Sequence, residues 1–122
     1  MLSREKARTL LMIALYQHLL VDVDIFSYIQ EELAIEDEFI SSVSQVIIAN
    51  KEDLVLAIDA KLLDWTFDRL GKVEQAILLL AAAELKSAIN DRAVCINEAV
   101  NLAKAYCDDD SYKLINATLD RL

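Results

Sequence analysis

Apolar residues recur along this chain at the spacing of α-helices, and in two stretches they cover nearly every side of the helix. The first is residues 10–15, within a helix that Ser3 can cap and that extends to about residue 21. The second is residues 76–83, in the middle of a helix predicted for residues 72–89. Because a helix that is apolar all round belongs in a protein interior, we expect each to be the centre of a small helical bundle.

Polar residues between these stretches predict where other helices begin. Asp24 can cap a second helix that ends near residue 33, Asp37 can cap a third, and a fourth is predicted to begin near Lys51. The positions that repeat at helical spacing are Phe39, Val43, Val46, Ile47 and the polar Asn50 in the third helix, and Leu54, Ile58, Leu62 and Trp65 in the fourth. We therefore interpret Trp65 as a structural residue of this seam.

The single glycine and two polar residues mark boundaries in the second half of the chain. Gly71 follows a turn at residues 64–70, and we expect it to take the left-handed conformation that often ends a helix. Asn97 is predicted to cap a sixth helix, with Glu98 in its first turn, and Asp110 a seventh. The sequence thus predicts an all-α protein of about seven helices, packed as two sub-bundles within one domain, about residues 1–63 and about residues 64–122.

The composition agrees with one helical domain. The chain has 122 residues, 56% of them apolar, with one glycine and no proline. Its longest uninterrupted apolar run, residues 76–83, is far shorter than the roughly 20 residues of a membrane-spanning helix. The N-terminal region lacks the small-residue cleavage site of a signal peptide. We therefore expect a cytoplasmic protein that does not span a membrane.

Few residues could carry catalysis or bind a metal ion. The chain has one histidine, His18, and two cysteines, Cys95 and Cys107, in no ligand spacing. If most of the intervening chain is helical, the two sulfurs lie about 15 Å apart, too far to form a disulfide. No glycine-rich phosphate loop or nucleophile motif is present. We expect no enzymatic activity, no metal site and no cofactor.

The charge of the chain opposes general affinity for nucleic acid, because the net charge is −9 and the pI is near 4.4. Arg4, Lys6 and Arg8 nevertheless place three of the twelve basic residues near the N-terminus, where positive charge typically costs a helix a few tenths of a kcal/mol. They are either a solvated helix end or a phosphate-binding site. Any role in RNA binding must be local or shared with a basic partner.

An unpaired acid and three tyrosines are further candidates. Glu84 lies beside an apolar stripe, with no basic residue three or four positions away. It must be exposed at the edge of the stripe, paired through a tertiary contact, or available to another protein. Tyr16, Tyr106 and Tyr112 either pack in the core or at its rim, or stack on the bases of single-stranded RNA.

Two segments near the C-terminus carry the most recognisable pattern: residues 96–104, INEAVNLAK, and residues 110–116, DSYKLIN. Residues 4–8 read REKAR, residues 14–16 read ALY, and residues 71–74 read GKVE ahead of the long apolar helix. Together these segments, which are spread over nearly the whole chain, resemble the NusB family of bacterial transcription antitermination factors.

This resemblance implies a non-enzymatic helical factor that binds boxA, a short single-stranded element of nascent ribosomal RNA transcripts, together with ribosomal protein NusE. The complex helps RNA polymerase to pass terminators. Glu84 and its neighbours would contact NusE, whose basic charge would offset the acidity of this chain. The residues implied in RNA contact are Arg4, Lys6, Arg8, Tyr16, Asp110, Lys113 and Leu114.

A second interpretation is a protein-interaction adaptor that keeps the NusB fold and binds little RNA. Four departures from the family pattern weaken the expectation of RNA binding more than that of the fold. Glu5 interrupts the basic stretch, Leu79 stands where the family often has arginine, and Leu114 stands where it usually has phenylalanine. Residues 115–117 read INA, without the glycine that follows asparagine in the family. A third is kinship with the NusB-like RNA-binding domain attached to some ribosomal RNA methyltransferases. The apolar helix faces also leave a homodimer open.

Overall fold

The structure is a computed structural model that describes residues 2–122 and contains six α-helices. They are α1 (Arg4–Val21), α2 (Ile25–Ser27), α3 (Glu38–Lys61), α4 (Lys72–Ser87), α5 (Arg92–Tyr106) and α6 (Ser111–Arg121). A π-helical turn, Tyr28–Glu32, follows α2, and a 3-10 turn, Phe67–Arg69, precedes α4. Residues 2–122 contain no strand, so the all-α prediction is confirmed.

Side-chain caps confirm three of the predicted helix starts. The Ser3 hydroxyl accepts a hydrogen bond from the Lys6 amide at 3.0 Å at the start of α1. Asp24 and Asp37 each accept one at 2.9 Å from the amide three residues later, at the starts of α2 and α3. Each cap satisfies an amide that has no partner within the helix. Asp110 also stands immediately before α6, although its side chain makes no capping bond.

The predicted third and fourth helices form one helix, α3, which is kinked at Asn50. Asn50 has φ −129° and ψ 17°, and its side-chain amide donates to the Val46 carbonyl at 2.9 Å. This local hydrogen bond competes with the regular helical pattern and accompanies the bend without ending the helix. The polar position in the apolar stripe therefore marks a kink, and about seven predicted helices become six.

Two of the predicted boundary residues have other roles. Gly71 has φ −62° and ψ 152°, so it is not left-handed; it is the N-cap of α4, and its amide donates to the Glu74 carboxylate at 2.9 Å. Asn97 lies inside α5, which begins at Arg92 with Asp91 as its N-cap residue, so Glu98 is not in a first turn. Nothing in residues 92–96 disfavours a helix, and asparagine is tolerated at an exposed interior position.

α4 is the centre of the fold and packs against α1, α3, α5 and α6. All of residues 76–83 are buried, as the apolar pattern predicted, and α6 adds the fully buried Ile115 and Leu119. The buried hydrophobic residues of all six helices, apart from Cys95, belong to one continuous cluster. The division into sub-bundles near residue 63 stays a prediction.

The turn before α4 packs against the core, but Trp65 does not pack as the sequence predicted. Phe67 and Leu70 are buried, and the buried Gln75 amide donates to both of their carbonyls, at 2.8 and 3.1 Å, which holds the turn against α4. Trp65, in contrast, is 52% exposed. The seam prediction was wrong for this residue because α3 ends at Lys61, so helical spacing no longer determines where Trp65 points.

Two further properties bear on function. No helix within residues 2–122 is long and apolar enough to cross a membrane. Cys95 is buried and Cys107 half-buried, and both are free thiols.

The central position of α4 predicts a strong dependence of stability on its apolar side chains. Replacing the fully buried Leu78 by alanine should lower the free energy of unfolding by about 2–5 kcal/mol, because it removes buried apolar surface and leaves a cavity. Leu56→Ala, at a position 66% exposed on α3, is the matched control and should change it by only about 0.5 kcal/mol. Urea denaturation followed by circular dichroism measures both, and equal effects would contradict the central packing of α4.

Candidate nucleic-acid interface

The N-terminal basic residues have different environments. Arg4 and Lys6 are exposed, whereas Arg8 is only 4% exposed and Glu84, from α4, is 1% exposed. The Arg8 guanidinium donates two hydrogen bonds to the Glu84 carboxylate, from Nε at 2.9 Å and from Nη2 at 2.8 Å. This two-pronged geometry is the strongest arrangement available to an arginine and a carboxylate.

The Arg8–Glu84 pair corrects two sequence-based expectations. Arg8 was expected to contact RNA and Glu84 to contact NusE, but the structure uses both side chains within the same subunit. The tertiary pairing left open for Glu84 is therefore the one observed. The physical reason is that neither charge can be buried alone at an acceptable cost, so two charged residues on inward-facing helix positions meet.

Electrostatics at the pair favour the charged form of arginine. Burial opposes the charge of Arg8, but the hydrogen bonds and negative charge of Glu84, with a smaller effect from Glu98, outweigh it. The pKa of the Arg8 guanidinium is accordingly raised above its usual value. The Cys95 thiol lies 3.8 Å from the same carboxylate and donates weakly to it.

Arg4 remains exposed but is held in place from two sides. Its guanidinium carbon lies 4.3 Å from the centroid of the Phe39 ring, a cation–π arrangement. The side-chain oxygen of Asn90 accepts a hydrogen bond from the Arg4 guanidinium at 3.4 Å. When the Asn90 amide is turned so that its oxygen and nitrogen exchange places, the oxygen accepts from both arginines, at 3.1 Å from Arg4 and at 3.3 Å from Arg8. Sequence reasoning missed Phe39 and Asn90 as supports of a functional side chain, because Phe39 lies in α3 and Asn90 in the loop between α4 and α5, both far from Arg4 in the sequence.

Tyr16 lies at a second place that the sequence could not assemble. It lines a cavity of about 320 Å³, here called the tyrosine pocket, where the N-terminal ends of α4 and α6 meet the end of α5. Backbone amides at helix N-termini favour negative charge, although two carboxylates also line this cavity. The residues around the tyrosine pocket are Tyr16, Gly71, Lys72, Val73, Glu74, Tyr106, Cys107, Asp108 and Ser111.

A narrower groove between α1 and α5 leads to the tyrosine pocket. Tyr106, which is 52% exposed, lines both cavities and so connects them. The groove begins beside Glu5, in the first turn of α1, and one edge of the Arg8 side chain reaches it. Two acids, Glu5 and Glu98, also line it. The groove therefore joins the start of α1 to the aromatic cavity, although the exposed Arg4 and Lys6 line neither of them.

The residues predicted to contact RNA at the start of α6 differ in their exposure and contacts. Asp110 and Lys113 are exposed and form a salt bridge of 3.3 Å, and the hydrogen bond and charge of Asp110 raise the pKa of Lys113. Leu114 is half-buried and packs against the hydrophobic core. Tyr112 packs beneath Lys104, whose ammonium lies 4.9 Å from the ring centroid. Only Ser111 of this segment lines the tyrosine pocket.

The chain matches the model of the NusB family over residues 5–122. It belongs to the NusB family. A relative from Sulfurovum sp. (strain NBC37-1), a transcription antitermination protein NusB, is 38% identical over an alignment of 129 residues. The alignment covers 100% of this chain and 98% of the relative. Antitermination proteins are not enzymes, in agreement with the scarcity of catalytic groups in the sequence.

Solved structures of NusB proteins have the same fold. T. maritima NusB superposes with a TM-score of 0.85 and 28% identity, covering 98% of this chain and 89% of that one. A structure of the antitermination factors NusB and NusE in complex with dsRNA matches with a TM-score of 0.83 and 25% identity, covering 97% of this chain and 93% of that one. The NusB-like fold expected from the sequence is thereby confirmed.

The buried pair predicts a large effect of removing one partner. Glu84→Gln should lower the free energy of unfolding by about 3–5 kcal/mol, because the Arg8 charge stays buried without a counter-charge. Replacing both residues by apolar ones, Arg8→Met with Glu84→Leu, should cost less than the two single changes together. Asp110→Asn breaks an exposed pair and serves as the control, with a much smaller expected loss because solvent screens this pair. Urea denaturation of all variants would refute the buried pairing if Glu84→Gln cost no more than this control.

We expect the ionisation of the Cys95 thiol to lower the stability of the fold at high pH. Burial, and then the negative charge of Glu84, raises the pKa of this thiol from about 9 to about 11. A pKa that is higher in the folded chain stabilises the fold fully below pH 9, and this contribution is lost as the pH rises to about 11. The free energy of unfolding should therefore fall less between about pH 8 and about pH 11 in Cys95→Ala than in the unmodified protein. Equal falls in denaturation experiments would contradict this effect.

Proposed function

We propose that this chain binds the boxA element of nascent ribosomal RNA transcripts together with ribosomal protein NusE, and acts with RNA polymerase in an antitermination complex in the cytoplasm. The observation that carries the proposal is the single surface that joins the start of α1 to the tyrosine pocket. Arg4 and Lys6, which are exposed in the first turn of α1, would bind phosphates beside one end of this surface. The rings at the other end would stack on a base, and together these are the two components of single-strand recognition.

Arg4 and Lys6 are the phosphate-binding groups in this proposal. Arg4 is well suited because Phe39 and Asn90 already hold its guanidinium, so little side-chain entropy is lost on binding. Arg8 is a positioning residue, since its pairing with Glu84 holds α1 against α4. Asp110, Lys113 and Leu114 would border the RNA beyond Ser111, with Lys113 as a third cation whose charge Asp110 partly offsets.

The aromatic end of the surface would accept a base. Tyr16 and Tyr106 line a cavity of about 320 Å³, to which Lys72 adds one positive charge and Glu74 and Asp108 add two negative ones. The NusB protein that is similar in fold was solved with NusE and dsRNA, which supports RNA and NusE as ligand and partner for this chain as well. Because the chain carries a net charge of −9, a basic partner would strengthen RNA binding by reducing repulsion of the phosphates.

An adaptor that binds NusE but little RNA is the second candidate. The burial of Arg8 favours it, because this leaves fewer free cations at the start of α1 than the sequence offers. A gel shift with boxA RNA, with and without NusE, separates the two functions. Capture of NusE without any RNA shift would support the adaptor, and a shift that NusE strengthens would support the RNA-binding complex.

The proposed RNA surface makes a quantitative prediction. Arg4→Ala and Lys6→Ala should each weaken boxA binding and reduce the slope of log K against log salt by about 0.7, the value for one phosphate contact on a single strand. Tyr16→Ala should weaken binding by about 1–3 kcal/mol and leave the slope unchanged, because it removes stacking alone. Fluorescence anisotropy of labelled boxA RNA, titrated at several salt concentrations, gives both quantities.

Lys61→Ala is the matched control for the cations, since Lys61 is an exposed lysine at the end of α3, outside the surface. Circular dichroism verifies that every variant keeps its helicity. If Lys61→Ala changed the slope as much as Lys6→Ala does, binding would be nonspecific and the assigned surface would be wrong.

A further inference from the structure

The negative charge of this chain is concentrated in one third of its length. Residues 9–50 contain no lysine or arginine and seven acids, which gives this segment a formal charge of −7 out of the net −9. Five of the acids fall within residues 31–38: Glu31, Glu32, Glu36, Asp37 and Glu38. None of these five forms a salt bridge with another residue of the part of the chain that the structure describes. Their charge is therefore available to a positively charged molecule.

An apolar cavity of about 290 Å³ opens among these acids, between α2, the π-helical turn and the start of α3. We call it the acidic-rim pocket. Phe26, Ile29, Ile35 and Ile40 provide its apolar wall, and Gln30, Glu36, Asp37, Glu38 and Ser41 complete its lining. The wide π-helical turn and the left-handed Ala34, at φ 52°, let the chain reverse so that the Ile35 amide bonds to the Ile29 carbonyl at 3.2 Å. This reversal places apolar side chains from both sides of the turn around one opening.

We infer that the acidic-rim pocket docks a basic segment of a partner protein, which inserts one apolar side chain and places lysine or arginine against the rim. Charge complementarity selects a basic occupant, because Glu36 and Glu38 are exposed at the opening. The volume lies near the lower end of the range for small-molecule sites and suits a single large side chain. RNA is disfavoured because the unpaired carboxylates would repel its phosphates.

The acidic-rim pocket lies next to the residue that supports Arg4. The first turn of α3 contributes to both: the Phe39 ring supports Arg4, and the next residue, Ile40, lines the acidic-rim pocket. A basic segment bound there would reduce the negative field near Arg4 and so favour phosphate binding. The docking itself does not depend on the RNA function and is tested without RNA.

Synthetic peptides test the inference on the full chain. The probe is a short labelled peptide in which lysines and arginines flank one central leucine; the comparison peptides replace that leucine by alanine or all the cations by glutamate. Fluorescence anisotropy should show binding of the leucine peptide that weakens as salt rises, about tenfold weaker binding of the alanine peptide, and none of the acidic peptide. Failure of the leucine peptide to bind, or equal binding of the alanine peptide, would overturn the inference.

Two matched charge variants locate the site. Glu36→Gln with Glu38→Gln should weaken binding of the leucine peptide several-fold, whereas Glu52→Gln with Asp109→Asn, which changes the net charge equally at exposed positions outside the pocket, should not. Equal weakening by both pairs would show attraction to general acidity and refute the pocket.

A third variant tests the apolar wall. Phe26→Ser should weaken binding of the leucine peptide but not of the alanine peptide, with helicity verified by circular dichroism; the charge variants keep the test valid if it fails to fold. Sizing of the free protein provides a separate criterion. A dimer that Phe26→Ser dissociates would assign the pocket to a second copy of this chain and overturn the inference.

Discussion

The buried pair between Arg8 and Glu84 fixes how the start of α1 lies against the C-terminal half of α4. Replacing such pairs by apolar residues often leaves stability unchanged, so the value of the pair lies in specifying geometry: only one arrangement of the two helices satisfies both charges. The neighbouring contacts depend on this arrangement. Asn90 reaches both arginines, and Phe39 from α3 lies under Arg4.

That arrangement determines which positive charges reach the surface. Arg8 is used inside the subunit, while Arg4 is presented at the surface with its guanidinium already oriented. A held guanidinium binds a phosphate with a smaller loss of side-chain entropy than a free one. Few cations, well positioned, are compatible with a net charge of −9, because binding depends on the local field and not on the total charge.

The fold separates two opposite surface chemistries. The start of α1, with the tyrosine pocket, combines cations and aromatic rings, whereas the acidic-rim pocket combines unpaired carboxylates and an apolar wall. α3 connects them through adjacent residues of its first turn, Phe39 and Ile40. In the functions proposed above, each surface would serve a different ligand, an acidic polymer at the first and a basic protein at the second.

The sequence by itself determined the all-α class, the buried middle of α4, the starts of α1, α2 and α3, and the family. These follow from apolar periodicity, from caps that act within three residues, and from short motifs, all of which are local. Tertiary structure decided the rest. Arg8 and Glu84 are 76 positions apart, Gly71 begins a helix instead of ending one, and Trp65 is exposed because α3 stops before it. Periodicity tells which side of a helix a residue occupies, but a charge finds its partner on another helix, and only the packing of the helices brings the two together.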